Sequence, residues 1–345
     1  MATPSKQTSF KEGYVWARQR ASRFRMKRPH RSFRPTSRRD ALKPLKLPGY
    51  WSFTFRVNKL LWQHKKLLLT LATIYAVFYA ILVGLGSQET YTSLVESIQE
   101  SGEEILVGGW NQLAQAGLLF VSVASSGLNL EITETQQVIG VILLLFVWLT
   151  TVWMLRRLMA GQKVKLRDAL YNAGAPIIPM GVLAGVMVIQ LIPAGIAAIG
   201  YAAADASGLL LGGIEAMLFW VAAGSLATLS LFWITSTFFA MAIVTLPGTY
   251  PFRALAIAGD MLIGRRLKVL LRLLWMAVMI IVVWALVLIP IILLDGWTKG
   301  AWEAAAWVPT VPLVVLGLTS LTSVWSSGYI YLLYRQIVDE DSRRD

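Results

Sequence analysis

The chain alternates between long apolar runs and short basic stretches. About 20 apolar residues are needed to cross the hydrocarbon core of a bilayer as a helix. One run, 209–246, is too long for one perpendicular span and too short for two, so we expect one long or broken helix there. The pattern predicts an all-α membrane protein with six transmembrane helices. The predicted spans are 67–86, 138–155, 175–202, one helix within 209–246, 273–294 and 309–334.

Three basic stretches, 55–66, 163–172 and 249–272, each lead into an apolar run. Aromatic and basic residues are interleaved over 51–66, which is typical of a helix lying at the headgroup level. The other two open on similar short sequences, LRDAL at 166–170 and FRAL at 252–255. This repetition predicts three parallel units of interfacial helix plus hairpin, in contrast to the inverted halves common in secondary transporters.

Basic residues fall almost entirely on one predicted side of the membrane. With six spans, 31 of the 32 Lys and Arg residues lie on that side, and Lys299 lies on the other. By the positive-inside rule, both termini are predicted to be inside. We therefore expect a multi-pass protein of the cytoplasmic membrane. The mitochondrial inner membrane is the alternative, because the N-terminus is rich in Arg and Ser and poor in acids, like a transit peptide.

Residues 1–50 form a basic tail. Residues 1–66 hold 18 basic residues and two acids, while the rest of the chain is net −3, so the formal charge of +13 originates here. The tail has no apolar period, and we expect it to be mostly disordered; residues 51–66 are predicted to be an interfacial segment. The tail is interpreted first as an anchor on anionic lipid. Docking to nucleic acid or the ribosome is the second interpretation.

Within the predicted membrane domain, 67–345, residues 87–137 stand out. They contain seven Glu and no Lys or Arg, which predicts an acidic insertion on the outer side. Its apolar part, 113–128, is too short and too rich in Gly and Ser to span, so we expect a re-entrant or surface-lying segment.

The sequence contains no recognisable catalytic or metal-binding motif. It has no HExxH, P-loop or GxSxG sequence and no cysteine, and its two histidines, His30 and His64, lie in or beside the tail. We therefore predict a protein that is not an enzyme and has no cofactor or metal.

Two sets of residues are candidates for function. Polar residues inside spans are the first, since their burial in a membrane is expensive. Gln190 either lines a solute path or makes one interhelical hydrogen bond, and Glu215 either binds substrate or reaches interface water. Gly181 and Gly185 are candidates for close helix packing in a homo-oligomer. The candidate polar path is Gln190, Glu215, Thr228 and Thr235; the second set, for binding anionic lipid or a partner, is Arg56, Lys59, Arg156, Arg157, Arg167, Arg253, Arg265 and Arg266.

The stretches KVKLRDAL (163–170) and ALAIAGDMLIGRRLKVL (254–270) resemble the six-span membrane-domain family attached to glycerophosphodiester phosphodiesterases, and its stand-alone relatives. The resemblance covers roughly residues 138–334. It implies a six-span fold; no phosphodiesterase domain is present, so that activity is not implied. Where the family often has Ser, this chain has Ala258 or Gly259. The residues that carry the resemblance are Ala254, Leu255, Ala258 or Gly259, Gly264, Arg265 and Arg266.

Together these patterns favour a non-enzymatic membrane protein whose inner face binds anionic lipid or a cytoplasmic partner, ribosomal or RNA-containing. The alternative is a small-solute transporter or permease with a polar path through the third and fourth spans.

Overall fold

The computed structural model describes residues 47–84, 133–210, 212–301 and 310–342, and all regular structure within them is helical. Six of these helices are long and apolar enough to cross a membrane, which confirms the predicted all-α, six-span fold. The helices are α1 (Tyr50–Gln63), α2 (Lys65–Leu82), α3 (Glu134–Met159), α4 (Leu166–Ala173), α5 (Ile177–Ala206), α6 (Gly213–Ile243), α7 (Pro251–Met261), α8 (Arg266–Ala301) and α9 (Thr310–Ser342); the six long ones are α2, α3, α5, α6, α8 and α9.

The helices differ from the predicted spans mainly at their ends. α3 starts at Glu134, because Thr133 and Gln136 form a capping box at its N-terminus. α6 is one continuous helix of 31 residues, without a break. α8 starts at Arg266, within the stretch assigned to the interface, since its Lys, Arg and Leu residues all favour helix. The turn between α7 and α8 contains Gly264 at a φ of 72°, a left-handed conformation that glycine adopts readily.

The order of a short helix followed by two long ones occurs three times: α1–α2–α3, α4–α5–α6 and α7–α8–α9. This order matches the three predicted units of short helix plus hairpin, and the interfacial position of the short helices stays a prediction. The short helices also share a pattern of burial, because the fourth and eighth residue of each is at most 2% exposed. These pairs are Phe53 and Val57 in α1, Ala169 and Ala173 in α4, and Ala254 and Ala258 in α7.

The contacts between units follow a cyclic pattern. Each first span packs on the second span of its own unit and of the preceding one: α2 on α3 and α9, α5 on α6 and α3, and α8 on α9 and α6. Each short helix likewise packs on the second span of the preceding unit, α4 on α3, α7 on α6 and α1 on α9. The third unit therefore closes back on the first. α9 packs against α1, α2, α3, α6 and α8 and lies at the centre.

Two predictions fall on parts of the chain that are not described. Residues 1–46 of the basic tail lie outside the described residues, as do residues 87–132 of the predicted acidic insertion, including 113–128. Residues 134–137, also assigned to that insertion, form the first turn of α3.

Candidate functional site at the basic end of the bundle

One end of the bundle, called here the basic end, collects the three short helices. It also contains the C-terminal turns of α3, α6 and α9 and the N-terminal turns of α5 and α8. Residues from all eight of these segments belong to one buried apolar cluster, so the short helices are fixed parts of the fold. The members of that cluster include Val57, Leu155, Ala173, Met180, Val244, Ala254, Val269 and Ile337.

The outer faces of the short helices carry exposed aromatic and basic side chains. Because the fourth and eighth residues face the core, the opposite side of each helix faces outward. This combination of rings and cations suits the headgroup region of a membrane. The exposed aromatic residues are Trp51 and Phe55 on α1, Tyr171 on α4 and Phe252 on α7, and the exposed basic ones are Arg56 and Lys59 on α1, Arg167 on α4 and Arg253 on α7.

The other four predicted basic residues lie differently. Arg156 is half-buried, and its Nη1 donates a hydrogen bond of 2.8 Å to the Thr245 carbonyl, which ties the ends of α3 and α6 together. Arg157 is exposed; it donates to Gln162 at 2.7 Å and stacks on Trp153. The two remaining residues are half-buried at the start of α8: Arg265 in the turn before it, and Arg266 with its guanidinium 4.4 Å from the ring centre of Phe232. Arg156 is thus a packing residue of the fold.

The predicted polar path is not assembled in this structure. Gln190 Oε1 accepts a hydrogen bond of 2.6 Å from Thr237, which confirms the interhelical bond weighed as its alternative role. Thr235 is buried and Thr228 exposed, and each hydroxyl donates to its own helix, as Ser and Thr often do in helices. Glu215 is exposed in the first turn of α6, about 30 Å along the helix from Thr235. Glu215 is therefore remote from Thr235, and the hydroxyls of Thr228 and Thr235 are engaged within α6.

A second interhelical bond joins α5 to α6 beside Pro193. Proline has no N–H and clashes with the carbonyl of the preceding turn, so it frees backbone groups that must find other partners. The Ala194 N–H donates to Ser230 Oγ at 3.0 Å, and Ser230 is only 1% exposed. The polar residues of this hairpin thus complete helix packing around a proline.

Gly181 and Gly185 face open space. A Cβ atom placed on either would meet no heavy atom of the chain within 4 Å, so neither is used in the contact between α5 and its neighbours. The homo-oligomer predicted through them stays a prediction.

Arg272 on α8 is a candidate that sequence reasoning missed. It is 5% exposed and is the one charged side chain that is buried among the residues described. Its Nη2 donates to the Pro48 carbonyl, just before α1, and its guanidinium lies 5.3 Å from the ring centres of both Tyr50 and Phe53. Its Nη1 is buried without a hydrogen-bond partner in the described chain. No carboxylate neutralises this charge there, and rings and a carbonyl take its place.

The side chains around Arg272 join three helices. Thr54 Oγ1 donates to the Tyr50 carbonyl at 3.0 Å and accepts from Trp275 Nε1 at 3.2 Å, which links α1 to α8. The ring of Phe53 meets that of Tyr329 edge-on at 4.9 Å, which links α1 to α9. Arg272 therefore helps to hold α1 against α8. A signal for it existed, since Arg272 stands in the apolar sequence KVLLRLLW, but the predicted span began one residue later.

No protein-family model, curated protein or solved structure matches this chain. The resemblance to the phosphodiesterase-associated membrane family consequently stays a prediction. Within the described ranges, no group of three or more His, Asp and Glu side chains is placed to hold a metal ion.

Proposed function

We propose that this integral membrane protein is not an enzyme, and that its basic end faces the cytoplasm and binds anionic lipid. One observation carries the proposal: three short helices at the basic end expose aromatic and basic side chains and are each anchored by a buried pair. A chain using only one such helix would have a single contact with the headgroups. Three helices distributed around the bundle place contacts on several sides of it.

The expected strength of the interaction follows from the exposed cations. A basic residue near an anionic surface contributes about 1 kcal/mol, which corresponds to about a fivefold change in affinity. Arg56, Lys59, Arg167 and Arg253 are exposed, and their helices cannot move away because the buried pairs hold them in the core. The aromatic rings beside them favour the same depth in the membrane. The surface therefore selects for negative charge in the adjacent leaflet.

The proposal is tested by replacing these four residues with Gln. The wild type and the variant are reconstituted into vesicles of phosphatidylcholine and phosphatidylglycerol in which one of the two lipids is brominated. Quenching of the 14 tryptophans then reports which lipid surrounds the protein. We expect the wild type to prefer phosphatidylglycerol and the variant to lose most of that preference, because several favourable charge interactions are removed.

A tail variant with the same loss of charge is the control: R18Q/R20Q/R23Q/R25Q. It should keep the preference for phosphatidylglycerol if the short helices form the binding surface. An unchanged preference in the helix variant overturns the proposal, and so does an equal loss in the two variants, because total charge alone would then explain it. A cytoplasmic partner of the tail, RNA or ribosome, would be revealed by co-purification that the tail variant alone loses.

A further inference from the structure

A groove opens on the side of the bundle between α2 and α8. Its floor is α9, its two walls are α2 and α8, and α1 closes it at the basic end. Its volume is about 450 Å³, within the range of about 300–1,000 Å³ usual for small-molecule sites. It exists because α2 and α8 both pack on α9 and leave a gap between them. The groove therefore follows from the cyclic arrangement of the units.

The end of the groove next to α1 is polar. Lys65, the first residue of α2, lines it and is exposed, with its Nζ 4.6 Å from the ring centre of Trp62. Asn58 lines it too, and its Oδ1 accepts a hydrogen bond of 2.7 Å from Trp325 Nε1. That bond fixes the amide and leaves its Nδ2 donor for another partner. An ammonium and an amide donor thus both line the end of the groove next to α1.

The rest of the groove is apolar. Leu69 from α2, Val283 from α8 and Leu321 from α9 line it and are 40–49% exposed, and Leu318 lies deeper. Along α9 the lining residues run from Trp325 to Leu318, about 10 Å at 1.5 Å per residue, away from the basic end. In a helix that spans the membrane, this part faces hydrocarbon, where water is not stable. Its occupant must be apolar at this end and polar at the other.

We infer that this groove binds one phospholipid with an anionic headgroup, its phosphate near Lys65 and Asn58 and part of one acyl chain between α2 and α8. The inference deepens the proposed function, on which it rests for the polarity of the lipid. Charge complementarity selects this occupant, because among the described residues that line the groove Lys65 is the one charged side chain, and it is basic.

A second furrow has a related arrangement. The exposed face of α6 forms an open depression lined by Val221, Gly224, Thr228 and Phe232, among others. Arg266, the first residue of α8, lies over the Phe232 ring at its basic end. In both places a cation from the first residue of a first span stands at the basic end of an apolar furrow on a second span, so the repeated units repeat this chemistry.

Native mass spectrometry of full-length protein tests the inference, after reconstitution in an equal mixture of phosphatidylglycerol and phosphatidylcholine and extraction in mild detergent. Val283→Trp fills the groove, and Val282→Trp, at a neighbouring residue of similar exposure that does not line it, is its control. Lys65→Gln removes the cation, and Lys66→Gln is its control. We expect the wild type and the two controls, Val282→Trp and Lys66→Gln, to retain one phosphatidylglycerol. Val283→Trp should lose this lipid. Lys65→Gln should lower the retention of phosphatidylglycerol relative to phosphatidylcholine about fivefold.

Two results would overturn the inference. Equal retention by Val283→Trp and Val282→Trp would show that the lipid binds elsewhere. Loss in Val283→Trp with no change of headgroup preference in Lys65→Gln would mean that the groove takes an acyl chain, of detergent or any lipid, without selecting charge. Tryptophan quenching measures which lipid surrounds the protein in vesicles, whereas native mass spectrometry measures which lipid stays bound after extraction. Failure of the inference is therefore distinguishable from failure of the proposed function.

Discussion

Arg272 offers the sharpest test of how the basic end is held together. It is 5% exposed, donates to the Pro48 carbonyl and lies 5.3 Å from the ring centres of Tyr50 and Phe53. We compare two replacements: Arg272→Lys keeps the positive charge, whereas Arg272→Met keeps an unbranched side chain without charge. Both lose the flat guanidinium that contacts the carbonyl and the two rings together.

The expected order of stability follows from the free energies of the interactions that each variant loses or keeps. A hydrogen bond from a charged donor is worth about 1.5–3 kcal/mol. A cation over an aromatic ring adds about 0.5–2 kcal/mol, depending on burial. Arg272→Met gives up both contributions. Arg272→Lys keeps at most part of them, because an ammonium group cannot contact the carbonyl and both rings together, and it still carries the cost of a poorly paired buried charge, which is several kcal/mol. We therefore expect Arg272→Met to be more stable than Arg272→Lys by at least about 2 kcal/mol.

Equilibrium unfolding in mixed micelles, by titration with SDS and followed by tryptophan fluorescence, measures this difference. Lys268→Met is the control on the same helix; Lys268 is exposed, and its replacement should change stability by no more than about 0.5 kcal/mol. If Arg272→Lys were as stable as Arg272→Met, the ammonium would have reached water or a headgroup. The premise that the side chain at position 272 is shielded from water and headgroups would then be refuted.

Two further predictions use the same unfolding measurement. A double-mutant cycle of Gln190→Leu and Thr237→Val should give a coupling energy near 0.6 kcal/mol and no more than about 1.7 kcal/mol, as for other interhelical hydrogen bonds in membranes; zero coupling would mean that the bond does not hold α5 to α6. Ala254→Leu should destabilise by about 1–3 kcal/mol because Ala254 is fully buried where α7 packs, whereas Ala256→Leu, on the exposed face, should change little. Equal effects of the two would contradict the packing of α7.

The six spans and three units were predictable because they depend on local features of the sequence. Hydropathy over about 20 residues decides whether a segment can cross a bilayer. The similar openings of α4 and α7, with Ala169 and Ala254 each followed by Leu, lie within single helices and can be seen without any tertiary information. The ends were less predictable: Arg266 and Lys268 appear interfacial by charge, yet their helical propensity extends α8 through them.

The buried arginine and the groove were not predictable for the opposite reason. Arg272 and its partner Pro48 are 224 residues apart, so its burial depends on how the third unit closes on the first. Asn58 and Trp325 at the groove are 267 residues apart. Similarly, Arg156 follows directly on a predicted span, where basic residues are usually solvated. Its hydrogen bond to the Thr245 carbonyl depends on the end of α6 packing beside it, which the sequence does not reveal. Charge alone does not distinguish a packing cation from a binding one.

The central position of α9 has a consequence for biogenesis. The helices that it contacts, α1, α2, α3, α6 and α8, all precede it along the chain, so each leaves the ribosome before α9 exists. α1 and α2 are made first but pack on the helix made last of those described. The surfaces of these helices that will contact α9 must therefore be covered by lipid or by the insertion machinery until α9 is inserted. Assembly of the helix bundle is therefore expected to finish in one late step, after α9 is inserted.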